Sequence, residues 1–171
     1  MMSGQYCLDA NIFISAWNSG YTMRVFPSLW KQLAQCRNDL VLIKPVFDEI
    51  DPISSADKKL PKKKKIEKYP LRVWMTENCF DVESITDEIN AVSLELEEEY
   101  ETNNNPKGAN QNDITLIAYA KVKEKTVVTF EEEQPQKPGK KKNYKIPLIC
   151  NEQGVECIKF VTMLDRLDIR I

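Results

Sequence analysis

The sequence predicts an α/β fold, a three-layer α/β/α sandwich with a mostly parallel sheet between two layers of helices. Short apolar runs of strand length alternate along the chain with segments whose apolar residues recur at helical spacing. This alternation is typical of parallel strands joined by helical crossovers. The chain has 171 residues, which is the length of one domain, and it contains no internal repeat. We therefore expect a single domain over residues 1–171.

The first half of the chain shows the alternation clearly. The apolar run at the N-terminus predicts a buried strand that ends before Asp9, residues 26–33 predict a helix, and residues 40–43 predict a second strand. Pro45 then opens a short helical segment over residues 46–50, because proline is tolerated in the first turn of a helix. This segment places Glu49 just beyond the second strand.

Residues 51–69 are rich in lysine and proline and predict a basic loop or a weak helix. A short helix follows from Leu71, and a longer one ending at Tyr100 carries its apolar residues on one face and its glutamates on the other. Residues 103–108 are turn formers. The remaining elements are a helix over 112–120, a strand over 126–129, a lysine-rich loop to Lys145, an apolar segment over 146–150 leading to a short helix, a last strand over 155–158 and a closing helix over 160–167.

Composition excludes several classes of function. The chain has no histidine, which removes Ser-His-Asp catalysis, Cys-His catalysis and histidine-ligated zinc. Its five cysteines form no Cys-x-x-Cys pair, so a zinc site built on sulfur and a complete disulfide framework are not expected. There is neither an apolar stretch of about 18 residues nor a signal peptide pattern, so we predict a cytoplasmic protein with no membrane span.

The net charge of −2 conceals basic and acidic blocks. Clustered lysines can bind phosphates even in an acidic protein, because salt confines the influence of each charge to about 10 Å. The alternative is that both lysine clusters are solvated loops. The candidate RNA-binding residues are Lys62, Lys63, Lys64 and Lys65 in the first cluster and Lys140, Lys141 and Lys142 in the second.

Four acidic residues occupy comparable places in the predicted fold. Asp9 and Glu49 follow the first and second strands, Asp113 begins a helix, and Glu131 follows the third predicted strand. The carboxyl ends of parallel strands lie on one edge of a sheet, so these groups can converge. Converged carboxylates without histidine or cysteine favour Mg²⁺ or Mn²⁺. Such a site suits in-line hydrolysis of a phosphodiester.

The sequence resembles the PIN-domain family of metal-dependent nucleases, and more narrowly a prokaryotic branch similar to the toxins of type II toxin–antitoxin pairs. The resemblance depends on the order and spacing of several blocks. They are LDANIFI at residues 8–14, VFDEI at 46–50, NDITLIAYA at 112–120, VVTFE at 127–131, and a C-terminal pattern over 144–158.

This resemblance implies a PIN-like domain, endoribonuclease activity and specific roles for the residues. Asp9, Glu49 and Asp113 would be the core ligands of Mg²⁺ or Mn²⁺, and Glu131 would take the fourth acidic position, although Glu132 and Glu133 compete for it. Asn11 and Thr129 would be polar residues that orient the site. The resemblance also implies RNA as substrate, a cognate antitoxin and a homodimer.

Simpler alternatives exist for each acid and for the whole chain. Asp9 could cap a helix together with Asn11, and Asp113 could be an acid favoured by the helix dipole. Glu49 could be a surface glutamate, with Asp48 beside it as a competing ligand, and Glu131 could belong to a solvated turn. A phosphatase with Asp9 as nucleophile is disfavoured, because Asn11 stands where a second acid is needed. The alternative function is a catalytically inactive PIN-like module that binds RNA or a protein.

Overall fold

A computed structural model of the chain describes residues 4–102 and 106–171. In these residues five parallel strands form a sheet, and helices separate the strands along the chain, as the α/β prediction requires. The strands are β1 (Tyr6–Leu8), β2 (Leu40–Ile43), β3 (Val82–Glu83), β4 (Thr126–Thr129) and β5 (Cys157–Lys159). The α-helices are α1 (Ala10–Ser15), α2 (Pro27–Gln35), α3 (Lys44–Glu49), α4 (Lys62–Lys68), α5 (Pro70–Glu77), α6 (Asp87–Glu99), α7 (Gln111–Lys123), α8 (Ile146–Gln153) and α9 (Phe160–Arg166). Short π or 3-10 segments cover Ala16–Gly20, Arg37–Asp39, Ser55–Asp57 and Lys141–Asn143.

β1 lies at the centre of the sheet, whose strand order is β3-β2-β1-β4-β5. Its residue Tyr6 pairs with Leu40 on one side and with Thr126 on the other. The chain first builds outward through β2 and β3, and then crosses to the other side of β1 to form β4 and β5. The carboxyl ends of β1 and β4 therefore flank a topological switch point, which is where open α/β sheets bind ligands.

The three central strands β1, β2 and β4 are buried along their whole length. Burial on both faces explains why they read as continuous apolar runs rather than as alternating patterns. β4 differs at its two ends, where Thr126 and Thr129 are buried although each carries a hydroxyl, and Thr129, its last residue, is only 1% exposed. A hydroxyl at that depth needs a hydrogen-bond partner, and its partner lies in the candidate site.

Four sequence predictions need correction. β3 was missed, because Val82 and Glu83 are too short a run to carry a strand pattern, so Glu131 follows the fourth strand rather than the third. The last strand is Cys157–Lys159 instead of 155–158, and the segment that precedes α8 in the prediction is already helical from Ile146. Ile85 precedes α6, which begins at Asp87 after its N-cap Thr86.

The basic region over residues 51–69 is partly helical, because α4 carries its four consecutive lysines. The C-terminal end of that helix is joined to the segment that precedes it. The Tyr69 hydroxyl donates to Asp57 Oδ2 at 2.6 Å, and Lys68 forms an ion pair with the same carboxylate. No helix in the described residues is long and apolar enough to cross a membrane.

A close backbone contact holds the segment that leads into α7. Positions 103–105 of the predicted turn lie outside the described residues. After them, the Ala109 N–H donates to the Tyr144 carbonyl at 2.9 Å, and Gly108 lies against the backbone of Lys142. This contact joins the start of α7 to the lysine-rich loop before α8.

Replacing Gly108 by alanine tests that contact. The new Cβ would lie 2.0 Å from the Lys142 carbonyl oxygen, and backbone cannot move aside as a flexible side chain does. We expect Gly108→Ala to lower the free energy of unfolding in urea by about 2 kcal/mol. Gly139→Ala is the control, since no atom lies within 4 Å of its added Cβ, and its effect should be neutral or stabilising by up to about 1 kcal/mol. Equal losses in both variants would contradict the close approach.

Candidate functional site

Asp9 follows β1 directly at the switch point. Its backbone N–H donates to the Val128 carbonyl at 3.1 Å, which extends the sheet pairing by one residue. Although Asp9 occupies the N-cap position of α1, its side chain makes no capping hydrogen bond. Its Oδ2 instead accepts a hydrogen bond of 3.1 Å from the Thr129 hydroxyl, and the residue is only 4% exposed. The side-chain hydrogen bond that fixes Asp9 is therefore one with β4.

Thr129 also connects Asp9 to Glu131. The backbone N–H of Glu131 donates to the Thr129 Oγ1 at 3.1 Å, so one hydroxyl bridges two of the predicted site residues. The carboxylate of Glu131 accepts a hydrogen bond of 2.9 Å from the backbone N–H of Ile146, the first residue of α8. The end of β4 and the start of α8 therefore meet at Glu131.

The structure distinguishes the three consecutive glutamates. Glu131 is half-buried, and its charge raises the pKa values of Asp9 and Asp113. Glu132 and Glu133 are exposed, and Glu132 forms an ion pair with Lys159 of β5. Glu131 is thus the glutamate of the three that is electrostatically coupled to the candidate site.

Asp113 is the third residue of α7 and completes a capping box with Asn110. The Asn110 N–H donates to Asp113 Oδ2 and the Asp113 N–H donates to Asn110 Oδ1, both at 2.9 Å. Asp113 therefore does stabilise the first turn of α7, as the alternative of an acid at a helix start proposed. The negative charges of Asp9, Glu131 and Glu49 also raise the pKa of this carboxyl group, so Asp113 interacts electrostatically with the other acids in addition to capping the helix.

Glu49 is the last residue of α3, and its side chain is exposed. Its Oε1 accepts a hydrogen bond from the Asn112 side chain, which comes from the first turn of α7. The sequence analysis missed Asn112, because a partner 63 residues away leaves no local signal. Asp48, the residue beside Glu49, is exposed and forms an ion pair with Lys44.

Burial and mutual repulsion raise the pKa values of the two aspartates. Burial raises the pKa of Asp9 to about 6, with a further increase from Glu131 and opposing contributions from the Thr129 hydroxyl and the Asn11 N–H. Burial also raises the pKa of Asp113 to about 7, with Asp9 as the next cause. Among the described residues, no lysine or arginine is a main cause of either shift. The candidate site is therefore a cluster of like charges.

The donor set fits a hard divalent cation, although the side chains are not assembled into a ligand shell. In the described residues, no three Asp, Glu, Cys or His side chains lie close enough together to hold a metal ion. Like charges keep carboxylates apart, and Glu49 and Glu131 each accept a hydrogen bond from elsewhere. The available ligand atoms are oxygens, which Mg²⁺ and Mn²⁺ prefer. The residues that could hold such an ion are Asp9, Glu49, Asp113 and Glu131.

The remaining predicted residues lie outside this cluster of contacts. Asn11 is exposed in the first turn of α1. In the first lysine cluster, Lys62, Lys63 and Lys64 are exposed on α4, Lys65 is half-buried, and Lys62 pairs with Glu77.

The second lysine cluster is folded against the protein. Lys141 lies 3.6 Å from Glu99 at the end of α6 and 5.5 Å from the centre of the Tyr100 ring. The Lys142 backbone contacts Gly108, and Lys140 is exposed. The backbone of this loop is therefore packed against the segment before α7, while the Lys141 side chain stays exposed beside Glu99.

Comparisons with known proteins support the fold. A family model described as "Domain of unknown function (DUF4411)" matches residues 6–171. A chain of FitAB bound to an IR36 DNA fragment aligns with a TM-score of 0.55 and 15% identity, covering 90% of this chain and 94% of that one. A chain from the structure of VapBC2 from Rickettsia felis, bound to a DNA fragment from its promoter, aligns with a TM-score of 0.51 and 17% identity. The alignment covers 91% of this chain and 98% of that one. No curated protein matches. The predicted PIN-like three-layer α/β/α fold is confirmed.

The raised pKa values predict how stability depends on pH without divalent metal. Because the ordinary pKa of aspartate is 3.8 and those of Asp9 and Asp113 are about 6 and 7, the folded state binds more protons than the unfolded chain between about pH 4 and 7. These groups therefore stabilise the fold most at low pH, and their contribution is lost as the pH rises through 6 to 7. We expect Asp9→Asn to raise the free energy of unfolding by about 2 kcal/mol at pH 8 and much less at pH 4.

Urea unfolding in EDTA at pH 4, 6 and 8 measures this difference between wild type and variant. Asp48→Asn is the matched control, because Asp48 is exposed and paired with Lys44, and its difference from wild type should stay small at each pH. An Asp9→Asn variant that loses stability relative to wild type as the pH rises would contradict the raised pKa of Asp9.

Proposed function

The chain belongs to the family described as domain of unknown function DUF4411, and we propose that it is a divalent-metal-dependent endoribonuclease. One observation carries the proposal. At the end of β4 the Thr129 hydroxyl joins the Asp9 carboxylate to the backbone of Glu131, and the charges of Glu131 and Glu49 raise the pKa values of both Asp9 and Asp113. Like charges kept at such a position favour a cation and an anionic substrate that binds through it.

In this proposal Asp9, Glu49, Asp113 and Glu131 hold Mg²⁺ or Mn²⁺. When bound, such a cation supplies activation of water and stabilisation of the leaving oxygen of a phosphodiester. No histidine is needed for that chemistry, in agreement with the composition.

The contacts around the acids would keep them ready for a cation. The Thr129 hydroxyl fixes Asp9 by donating to Oδ2, and the Asn110 N–H fixes Asp113 in the same way. Because these are neutral donors, they orient the carboxylates without cancelling their charge, which leaves the charge for the cation. We assign Thr129 and Asn11 the site-orienting roles, with Asn11 at the exposed rim of the site.

The proposed substrate is RNA, which would approach through its phosphates. The exposed lysines of α4 provide positive charge separate from the acids, and their attraction for a phosphate backbone would weaken with salt. Lys140 would contribute from the second cluster. Lys141 contributes less in this interpretation, because it is paired with Glu99.

We further propose that the chain is one PIN-like domain over residues 1–171, acts in the cytoplasm as a homodimer, and is the toxin of a type II toxin–antitoxin pair. Support comes from the sequence resemblance and from the fold shared with chains of FitAB and VapBC2, each described as bound to DNA. A cognate antitoxin would then be the partner, and the pair would be the form that binds DNA.

Cleavage of end-labelled single-stranded RNA by the purified chain tests the proposal. We expect cleavage with Mn²⁺ or Mg²⁺ and none with EDTA. Asp9→Asn and Asp113→Asn should each lower the rate by at least about 100-fold, because each removes a charged ligand from the site. Asp48→Asn, which changes an exposed acid beside Glu49, should cleave like wild type.

Two other outcomes would overturn this function. Cleavage that persists equally in EDTA and in both site variants would show a contaminating nuclease or another site. RNA binding without cleavage, unchanged in the variants, would instead support the inactive RNA-binding module.

The three neighbouring glutamates permit a sharper comparison in the same assay. Glu131→Gln should lower the rate by at least about tenfold, because Glu131 is the one coupled to Asp9 and Asp113. Glu132→Gln and Glu133→Gln should stay within about twofold of wild type, since both side chains are exposed. A larger loss in either of these variants would move the fourth acidic position to that residue.

A further inference from the structure

Glu49 is held differently from the other candidate ligands. Asp9 and Asp113 are fixed by hydrogen bonds close to the strand and helix that carry them. Glu49 instead ends a helix of six residues, and its side chain is exposed. A helix this short has little stability of its own and leaves carbonyls without partners at its end. Contacts from other elements must therefore fix its position.

Arg72 of α5 provides the first of these contacts. Its Nη2 donates to the Phe47 carbonyl at 2.5 Å and its Nε donates to the Ile50 carbonyl at 2.8 Å. The guanidinium also lies 3.8 Å from the centre of the Phe47 ring. The two carbonyls lie on either side of Glu49 in the chain, so one planar guanidinium holds the backbone of the turn that carries it.

Asn112 of α7 provides the second contact. Its side-chain N–H donates to Glu49 Oε1, which leaves the other carboxylate oxygen for a ligand. Asn112 directly precedes Asp113, so the side chain of Glu49 is tied to the same helical turn that carries another candidate ligand. One side-chain hydrogen bond therefore joins the end of α3 to the start of α7.

We propose that Arg72 and Asn112 are positioning residues for Glu49, with Arg72 fixing the backbone of its turn and Asn112 fixing its carboxylate. The proposal rests on the proposed function, because it assigns Glu49 to a divalent metal centre. Residues that hydrogen-bond to a metal ligand without touching the metal typically change its affinity by about 10- to 100-fold when they are removed.

A double-mutant cycle on Mn²⁺ affinity tests the role of Asn112. Calorimetric titration of the full chain with Mn²⁺ compares wild type, Asn112→Ala, Glu49→Gln and the double variant. We expect Asn112→Ala to weaken Mn²⁺ binding by about 10-fold or more in wild type and by less than about twofold in Glu49→Gln. Equal losses in both backgrounds, or none in wild type, would overturn the proposal.

Gln111→Ala is the matched control. Gln111 is the adjacent amide in the same turn of α7, and it bonds Glu97 Oε1 at 3.4 Å on the neighbouring α6 instead of Glu49. Its removal should leave Mn²⁺ affinity within about twofold of wild type. A loss as large as that of Asn112→Ala would mean that any polar contact of this turn matters, and the specific role of Asn112 would be wrong.

Arg72→Ala separates positioning from stability. A purely structural Arg72 would lower the melting temperature and leave the Mn²⁺ affinity of the folded chain unchanged. We expect both to fall in wild type, whereas in Glu49→Gln the loss of melting temperature should persist and the loss of affinity should disappear. If Arg72→Ala does not fold, the Asn112 cycle decides the proposal.

The outcomes distinguish this inference from the proposed function. Mn²⁺ binding that is insensitive to Asn112 and Arg72 overturns the inference while RNA cleavage can still support the nuclease. Mn²⁺ binding that follows the expected cycle without any RNA cleavage supports the inference and overturns the nuclease. A wild-type chain that binds no Mn²⁺ overturns both.

Discussion

Repulsion between carboxylates that are shielded from water is the constraint on which the rest of the site depends. Asp9 is buried and Asp113 is half-buried, burial disfavours the charged form of each, and the negative charges of Glu131 and Glu49 raise the pKa values of both. The fold holds them at the carboxyl edge of the sheet because β1 ends at Leu8 and α7 begins two residues before Asp113. Sheet pairing and helix capping therefore supply the stability that offsets a local arrangement with unfavourable electrostatics.

The groups that contact these acids share one chemical property, since they are neutral hydrogen-bond donors. Asp9 accepts a hydrogen bond from a threonine hydroxyl and Glu49 accepts one from an asparagine side-chain amide. Asp113 and Glu131 each accept one from a backbone N–H. Lysine or arginine in those places would have neutralised the cluster. Positively charged side chains pair with acids outside the site, as Lys159 does with the exposed Glu132. The carboxylates of the site therefore keep their negative charge, while acids around it are neutralised by ion pairs.

Local signals were sufficient to predict most of the fold and to select the four acids as candidates. β1 and β2 are buried apolar runs, β4 is a buried β-branched run, and Asp9, Glu49 and Asp113 each stand next to a recognisable strand end or helix start. β3 could not be predicted, because two residues cannot show a period. The contacts of Arg72 and Asn112 could not be predicted either, because their partners lie 22 to 63 residues away and pair only after folding. The choice of Glu131 over its neighbours also depends on the tertiary contacts of α8.

The capping box of Asp113 affects how sequences related to this chain should be interpreted. Asp113 starts α7 whether or not the site binds anything, so selection for a stable helix is enough to retain an aspartate there. Glu49 is exposed and starts no helix, and its side-chain contact in the structure is with Asn112. A relative without the proposed metal site could therefore keep Asp113 and lose Glu49. The pair formed by positions 49 and 112 is consequently a better marker of the proposed metal site than Asp113.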